Sequence, residues 1–115
     1  MSATVPVTRE VLWRKIQAGD EFVLVDALPQ MTYARSHLPG AINLPLEWVD
    51  VWAGRRIPHH DTEIVVYCAK STCDRAEHVA ERLFELGYRN IGHYVEGKQD
   101  WVDAGLPVEG GAVRR

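Results

Sequence analysis

The stretch Glu63-Ile64-Val65-Val66-Tyr67-Cys68, continued by Ala69-Lys70-Ser71-Thr72-Cys73-Asp74-Arg75 and then by Ala76 to Gly87, decides the fold. Ile64, Val65 and Val66 follow one another without a polar interruption, as in a strand buried on both faces. Beyond the loop, Ala76, Val79, Ala80 and Leu83 recur at helical spacing, while Glu77, Glu81, Arg82 and Glu85 take the other side. That is an amphipathic helix, ended by Leu86-Gly87. A doubly buried strand feeding such a helix is the beginning of a parallel crossover and predicts an α/β domain.

Upstream, Phe22 to Val25 repeats the buried run and stops at Asp26. Before it, Thr8 as N-cap, Glu10 in the first turn and an apolar face of Val11, Leu12 and Ile16 predict a helix ended by Gly19. After it, Pro29 opens a short helix through Tyr33 and Ala34, ended by Pro39-Gly40, and Ala41 to Asn43 forms a very short strand. Pro45 opens another helical piece carrying Trp48 and Trp52, which Gly54 and Pro58 close. Tryptophans at that spacing read as core more readily than as a partner-facing patch. Ile91 to Val95 is a weaker strand leading to a last short helix with Trp101. Strands alternating with helices imply a central, mostly parallel sheet flanked by helices. Binding loops of such sheets lie beyond the carboxyl ends of the strands, where both Asp26 and Cys68 fall.

The chain has 115 residues, 46% hydrophobic and 25% charged, which suits one packed domain over 1–115 that needs no disulfide staples. A net charge of -3 with scattered basic residues argues against a nucleic-acid partner held by counterion release. No apolar run approaches the roughly 20 residues of a membrane span, so no membrane partner is expected. Met1 to Val7 lacks the basic flank and apolar run of a secretory leader, and the chain has only two cysteines. Both features predict a cytoplasmic location. Residues 110–115, with Gly110, Gly111, Arg114 and Arg115, read as a loose tail.

The loop from Cys68 to Arg75 is where chemistry is expected. A cysteine there meets the backbone N–H groups of the turn and the positive end of the following helix, both of which favour its thiolate. Lys70 and Arg75 would lower its pKa further, and Ser71 and Thr72 add hydrogen-bond donors to an anion site. The competing reading makes Cys68 a small, inert core residue. Asp26 either orients this loop or caps the turn after its own strand, and the structural role is favoured. His37 is expected to hold backbone rather than to catalyse. The Cys68–Cys73 spacing lacks a second pair of ligands, so no metal is expected.

The chain resembles the single-domain rhodanese-like (sulfurtransferase) proteins from about Thr8 to Glu109, leaving 110–115 outside. The resemblance is carried by Leu24-Val25-Asp26, Tyr33, and His37-Leu38-Pro39-Gly40-Ala41-Ile42-Asn43-Leu44-Pro45. In the second half it is carried by Ile64-Val65-Val66-Tyr67-Cys68, Glu85-Leu86-Gly87-Tyr88-Arg89-Asn90-Ile91, Trp101 and Ala104-Gly105-Leu106-Pro107-Val108-Glu109. It implies a three-layer fold with a sheet of about five strands. It also implies a sulfur relay, in which Cys68 takes a sulfane sulfur from thiosulfate or a persulfide donor and passes it to a thiol, a protein or cyanide. Ala69, Lys70, Ser71, Thr72, Cys73, Asp74 and Arg75 would surround the anion, and the relay needs no cofactor.

The sequence also departs from the family pattern. Six residues separate Cys68 from Arg75, two more than in the usual short loop and one more than in phosphatases of the same fold or arsenate reductases resembling them. Oxyanion chemistry of that kind and a non-catalytic binding module remain the alternatives. Some rhodanese-like sequences carry such a lengthened loop with a second cysteine. Cys73 could therefore be a resolving thiol, or simply turn inward at the start of the helix. Leu28 stands where an arginine is common and Thr32 where an acidic residue is common. Glu96-Gly97-Lys98-Gln99 replaces the expected Gly-Gly turn.

Overall fold

The computed structural model describes residues 4–111. The sheet has five strands, β1 (Val5–Pro6), β2 (Val23–Asp26), β3 (Ile42–Asn43), β4 (Ile64–Tyr67) and β5 (Ile91–Tyr94), in spatial order β1-β5-β4-β2-β3. Every pairing is parallel, and the central register sets Asp26 opposite Tyr67 and Tyr67 opposite Tyr94. The helices are α1 (Arg9–Ala18), α2 (Gln30–Arg35), α3 (Val49–Arg56), α4 (Arg75–Glu85) and α5 (Gly97–Asp103), with a 3-10 turn at Leu46–Trp48. Among the described residues, no helix is long and apolar enough to cross a membrane.

All four residues of β4 are buried because alternate side chains feed two apolar layers. Ile64 and Val66 join Val79, Ala80 and Leu83 of α4 and Val49 and Ala53 of α3 on one face. Val65 and Tyr67 join Leu12 of α1 and Trp101 of α5 on the other. Three layers follow from this alternation.

Several local expectations are refined. Thr8 caps α1 by accepting from the Val11 N–H at 3.1 Å, and Gly19 closes it at φ 69°. Gly54 lies inside α3, which runs on to Arg56. α2 ends at an extended Ser36, before Pro39-Gly40. Trp48 stacks on Trp52 with centroids 5.4 Å apart but is 49% exposed, so it is not core. β1 was not anticipated: two residues, one of them proline, leave no periodicity to read. The tail is docked where it is described. His37 and Glu109 exchange backbone hydrogen bonds of 2.9 and 2.8 Å, and Gly111 N–H donates to the Ala34 carbonyl at 2.8 Å. The loose tail expected from 110 onward is thereby corrected for Gly110 and Gly111, while 112–115 lie outside the described residues.

Candidate active site

Cys68 follows β4 directly and is 2% exposed. Its thiol donates to the Cys73 carbonyl at 3.4 Å, and the backbone N–H groups of Ala76 and Ala69 favour its thiolate. The loop reverses where the Cys73 N–H donates to the Lys70 carbonyl at 2.9 Å. This turn brings Cys73 back against the apolar cluster that contains Cys68.

The acidity of the pair reverses the expectation. Burial pushes Cys68 up to about 12, and the hydrogen bond to Cys73 acts in the same direction, against the N–H groups of Ala76 and Ala69. Burial also works to raise Cys73, but there the Cys68 thiol, the N–H groups of Ala69 and Arg75 and the Arg75 charge outweigh it. Cys73 ends below the ordinary thiol value. The N–H groups of Ala76 and Ala69 favour the Cys68 thiolate, yet desolvation of a nearly enclosed sulfur exceeds them.

The cations are placed differently from the expectation as well. Arg75 donates through Nε to the Ala27 carbonyl at 2.9 Å and through its fork to Glu47 at 2.8 and 3.3 Å. A free carbonyl just past β2 and a nearby carboxylate satisfy the planar guanidinium. Arg75 thus ties the loop to its neighbours, with its fork on Glu47. Lys70, Ser71 and Thr72 are exposed. Asp74 is also exposed, and its carboxylate meets His78 Nε2 at 3.3 Å instead of capping α4.

α5 closes another side of the loop. Lys98 N–H donates to the Cys68 carbonyl at 2.9 Å and Gln99 N–H to the Ala69 carbonyl at 2.8 Å. Gly97, at φ +78°, permits this approach: a Cβ there would stand 2.7 Å from the Cys68 carbonyl oxygen and 2.8 Å from Ala69 C and Lys70 N. A single glycine therefore serves where a Gly-Gly turn was expected.

Beneath the loop, the Tyr67 hydroxyl donates to Asp26 Oδ2 at 2.6 Å and accepts the Leu38 N–H at 3.0 Å. Asp26 Oδ1 accepts the Leu28 N–H at 2.8 Å. Burial raises the Asp26 pKa, opposed by these two donors and by the charge of Lys98. Lys98 Nζ donates to the Ser36 carbonyl at 2.9 Å, and burial lowers its pKa against the pull of Asp26. It supplies the positive charge that Leu28 lacks. Asp26 thus caps the turn and braces β2 against β4. His37 Nδ1 meets the Tyr33 carbonyl at 2.8 Å and its ring stacks on Tyr33, the backbone-holding role anticipated. Sequence reasoning missed Tyr67, Gly97 and Lys98. A hydroxyl inside an otherwise apolar run, and a glycine at the entry to a helix, were the available signals.

Fold and site together define a three-layer α/β protein with a cysteine loop at the carboxyl end of its central strand. The chain belongs to the rhodanese-like family: the Rhodanese-like domain matches residues 8–104. It is 30% identical over 103 residues to thiosulfate sulfurtransferase GlpE of Haemophilus influenzae, covering 90% of this chain and 92% of that protein. It is 37% identical over 107 residues to the HTH-type transcriptional regulator Rv0324 of Mycobacterium tuberculosis. That match takes in 92% of this chain but 45% of the regulator, so the chain spans less than half of that relative. Among solved structures, the BH2092 protein from Bacillus halodurans superposes with a TM-score of 0.86 at 24% identity, covering 94% of this chain and 78% of the other, and shares the fold. Thiosulfate sulfurtransferase from Pseudomonas aeruginosa gives 0.78 at 25% identity, over 97% of this chain and 21% of that one.

Proposed function

We propose that the protein is a sulfurtransferase in which Cys68 carries a sulfane sulfur from thiosulfate or a persulfide donor to a thiol, a protein or cyanide. The observation that supports this reading is the position of Cys68, 2% exposed and directly after the central strand, at the head of the loop into α4. The backbone N–H groups of Ala69 and Ala76, which favour its thiolate against burial, stabilise charge on Sγ as the reaction forms it. When the donor arrives, Cys68 gives up its proton to solvent hydroxide. The Cys68 thiolate attacks the outer sulfur of thiosulfate, the S–S bond breaks, and sulfite leaves with the electron pair. An acceptor thiolate then attacks the outer sulfur of the Cys68 persulfide and regenerates the Cys68 thiolate. Lys70, Ser71 and Thr72, being exposed, are the groups available to the incoming anion. Engagement of Arg75 by Glu47 weighs against the phosphatase and arsenate-reductase alternatives, which need the loop cation on the oxyanion.

Incubation with thiosulfate followed by intact-protein mass spectrometry tests the reading. Sulfite release with sulfur entering at Cys68 is expected, and neither in Cys68→Ser. Wild-type protein that releases no sulfite and takes no sulfur from thiosulfate or from a persulfide donor overturns it, and full function of Cys68→Ala would support a non-catalytic module.

A further inference from the structure

We infer that Cys73 attacks the inner sulfur of a Cys68 persulfide, expelling hydrosulfide and closing a Cys68–Cys73 disulfide, so that the loop reduces sulfane sulfur to sulfide. This rests on the sulfur-carrier reading of Cys68 and adds a second outcome for the carried sulfur.

The geometry points to this step. Cys73 is folded back by the Lys70–Cys73 turn, and the Cys68 sulfur already lies 3.4 Å from the Cys73 carbonyl oxygen. An external acceptor meets the outer sulfur of the persulfide. The inner sulfur belongs to a residue 2% exposed, so it is screened from solvent, and it lies beside the Cys73 backbone. Between the two cysteines, Lys70, Ser71 and Thr72 are exposed, so that part of the turn is free to tighten, while Ala69 and Cys73 stay packed against the apolar cluster. Once Cys68 is a persulfide its thiol no longer acts on Cys73, and the N–H groups of Ala69 and Arg75 with the Arg75 charge remain to favour the Cys73 thiolate.

The step balances. The Cys68 persulfide first takes a proton from solvent on its terminal sulfur. The Cys73 thiolate then forms a bond to Cys68 Sγ, the bond from Sγ to the terminal sulfur breaks, and that sulfur leaves as hydrosulfide with the proton and the electron pair. Two thiols are oxidised to a disulfide while one sulfane sulfur is reduced to sulfide. An external dithiol then reduces the disulfide by exchange. Over a full cycle, thiosulfate and a dithiol become sulfite, hydrogen sulfide and a cyclic disulfide.

The full chain, exposed to one equivalent of thiosulfate in the absence of any thiol, provides the test. In wild type, sulfide should appear in step with sulfite, one per chain, and the intact mass should end two hydrogens below the reduced protein. Peptide mapping should find Cys68 linked to Cys73, and dithiothreitol should restore the starting mass. In Cys73→Ser and Cys73→Ala, the mass should stop at one added sulfur, with sulfide release down at least tenfold. Wild type that keeps its persulfide, or variants that release sulfide as fast as wild type, would overturn the inference while leaving the carrier reading intact. If wild type and variants alike take up no sulfur and release neither sulfite nor sulfide, both readings fall.

Discussion

Gly97→Ala tests how tightly α5 holds the cysteine loop. A left-handed alanine costs about 1–2 kcal/mol against glycine. The new Cβ would meet three backbone atoms of the loop at 2.7–2.8 Å, none of which a side-chain rotation can move. Relief requires α5 to draw away, which breaks the bonds from Lys98 N–H to the Cys68 carbonyl and from Gln99 N–H to the Ala69 carbonyl. At about 1 kcal/mol each, these bring the expected loss to about 3–4 kcal/mol. For a domain of this size that lowers Tm by roughly 10–15 °C. Gly105→Ala is the matched control: its φ is also +78°, but nothing lies within 4 Å of the added Cβ, so only the backbone cost of about 1–2 kcal/mol applies. Thermal unfolding of both variants, with hydrogen exchange at the amides of residues 98 and 99, measures the difference. Equal losses in the two variants would refute the claim that contact with the Cys68 loop fixes Gly97.

Tyr67→Phe should cost about 2–3 kcal/mol at neutral pH, because it strips a donor from buried Asp26 and orphans the Leu38 N–H. The Asp26 pKa is raised in the folded state, so its protonation stabilises the fold as pH falls from that raised value toward the ordinary one near ~3.9. Losing the Tyr67 bond raises it further; the penalty of Tyr67→Phe therefore shrinks on acidification, and a denaturation series showing a pH-independent penalty would contradict this. Brief alkylation with iodoacetamide should label Cys73 before Cys68, since Cys73 is both more exposed and more acidic; peptide mapping that finds Cys68 labelled first would reverse the assignment. With Cys68 pushed up to about 12, the rate of sulfur uptake should climb as pH rises from about 7 to about 9, where an ordinary low-pKa thiolate would already have levelled off. Glu47→Gln should change stability by less than about 1 kcal/mol, because its bond to Arg75 is largely solvent-exposed.

Much of the architecture was legible because burial on both faces leaves a strong imprint. The run Ile64 to Val66 and the α4 stripe Ala76, Val79, Ala80 and Leu83 placed the central strand, its helix and the cysteine between them. Elements held by their neighbours left weaker traces. β1 is two residues paired to β5, and the 105–111 segment is fixed by the Trp101 indole on the Pro107 carbonyl and by the His37–Glu109 bridge. Neither is periodic. The site divides in the same way. Loop composition singled out Cys68 at the end of the central strand, but the direction of a cation depends on its partners. Glu47, 28 residues before Arg75, captures that guanidinium, and Lys98, 62 residues after Ser36, stands near Asp26. Desolvation too is a property of the assembled layers, so the raised Cys68 pKa could not be read from its flanking residues.

The unequal acidity of the two thiols bears on which way a Cys68 persulfide reacts. In exchange reactions a sulfur of lower pKa leaves faster. Transfer to an external thiol must expel the Cys68 thiolate, whose conjugate acid stands near 12 in the resting site. Attack by Cys73 on the inner sulfur expels hydrosulfide instead, and hydrogen sulfide is more acidic than an alkyl thiol. The buried environment that slows formation of the Cys68 thiolate therefore also slows its departure, and it biases the carried sulfur toward internal release unless the acceptor is concentrated or strongly nucleophilic. Competition makes this measurable: as an acceptor thiol is titrated in, the fraction of sulfur leaving as sulfide in the first turnover should fall steeply in wild type. A partition that ignores acceptor concentration would mean that the two routes do not share the Cys68 persulfide.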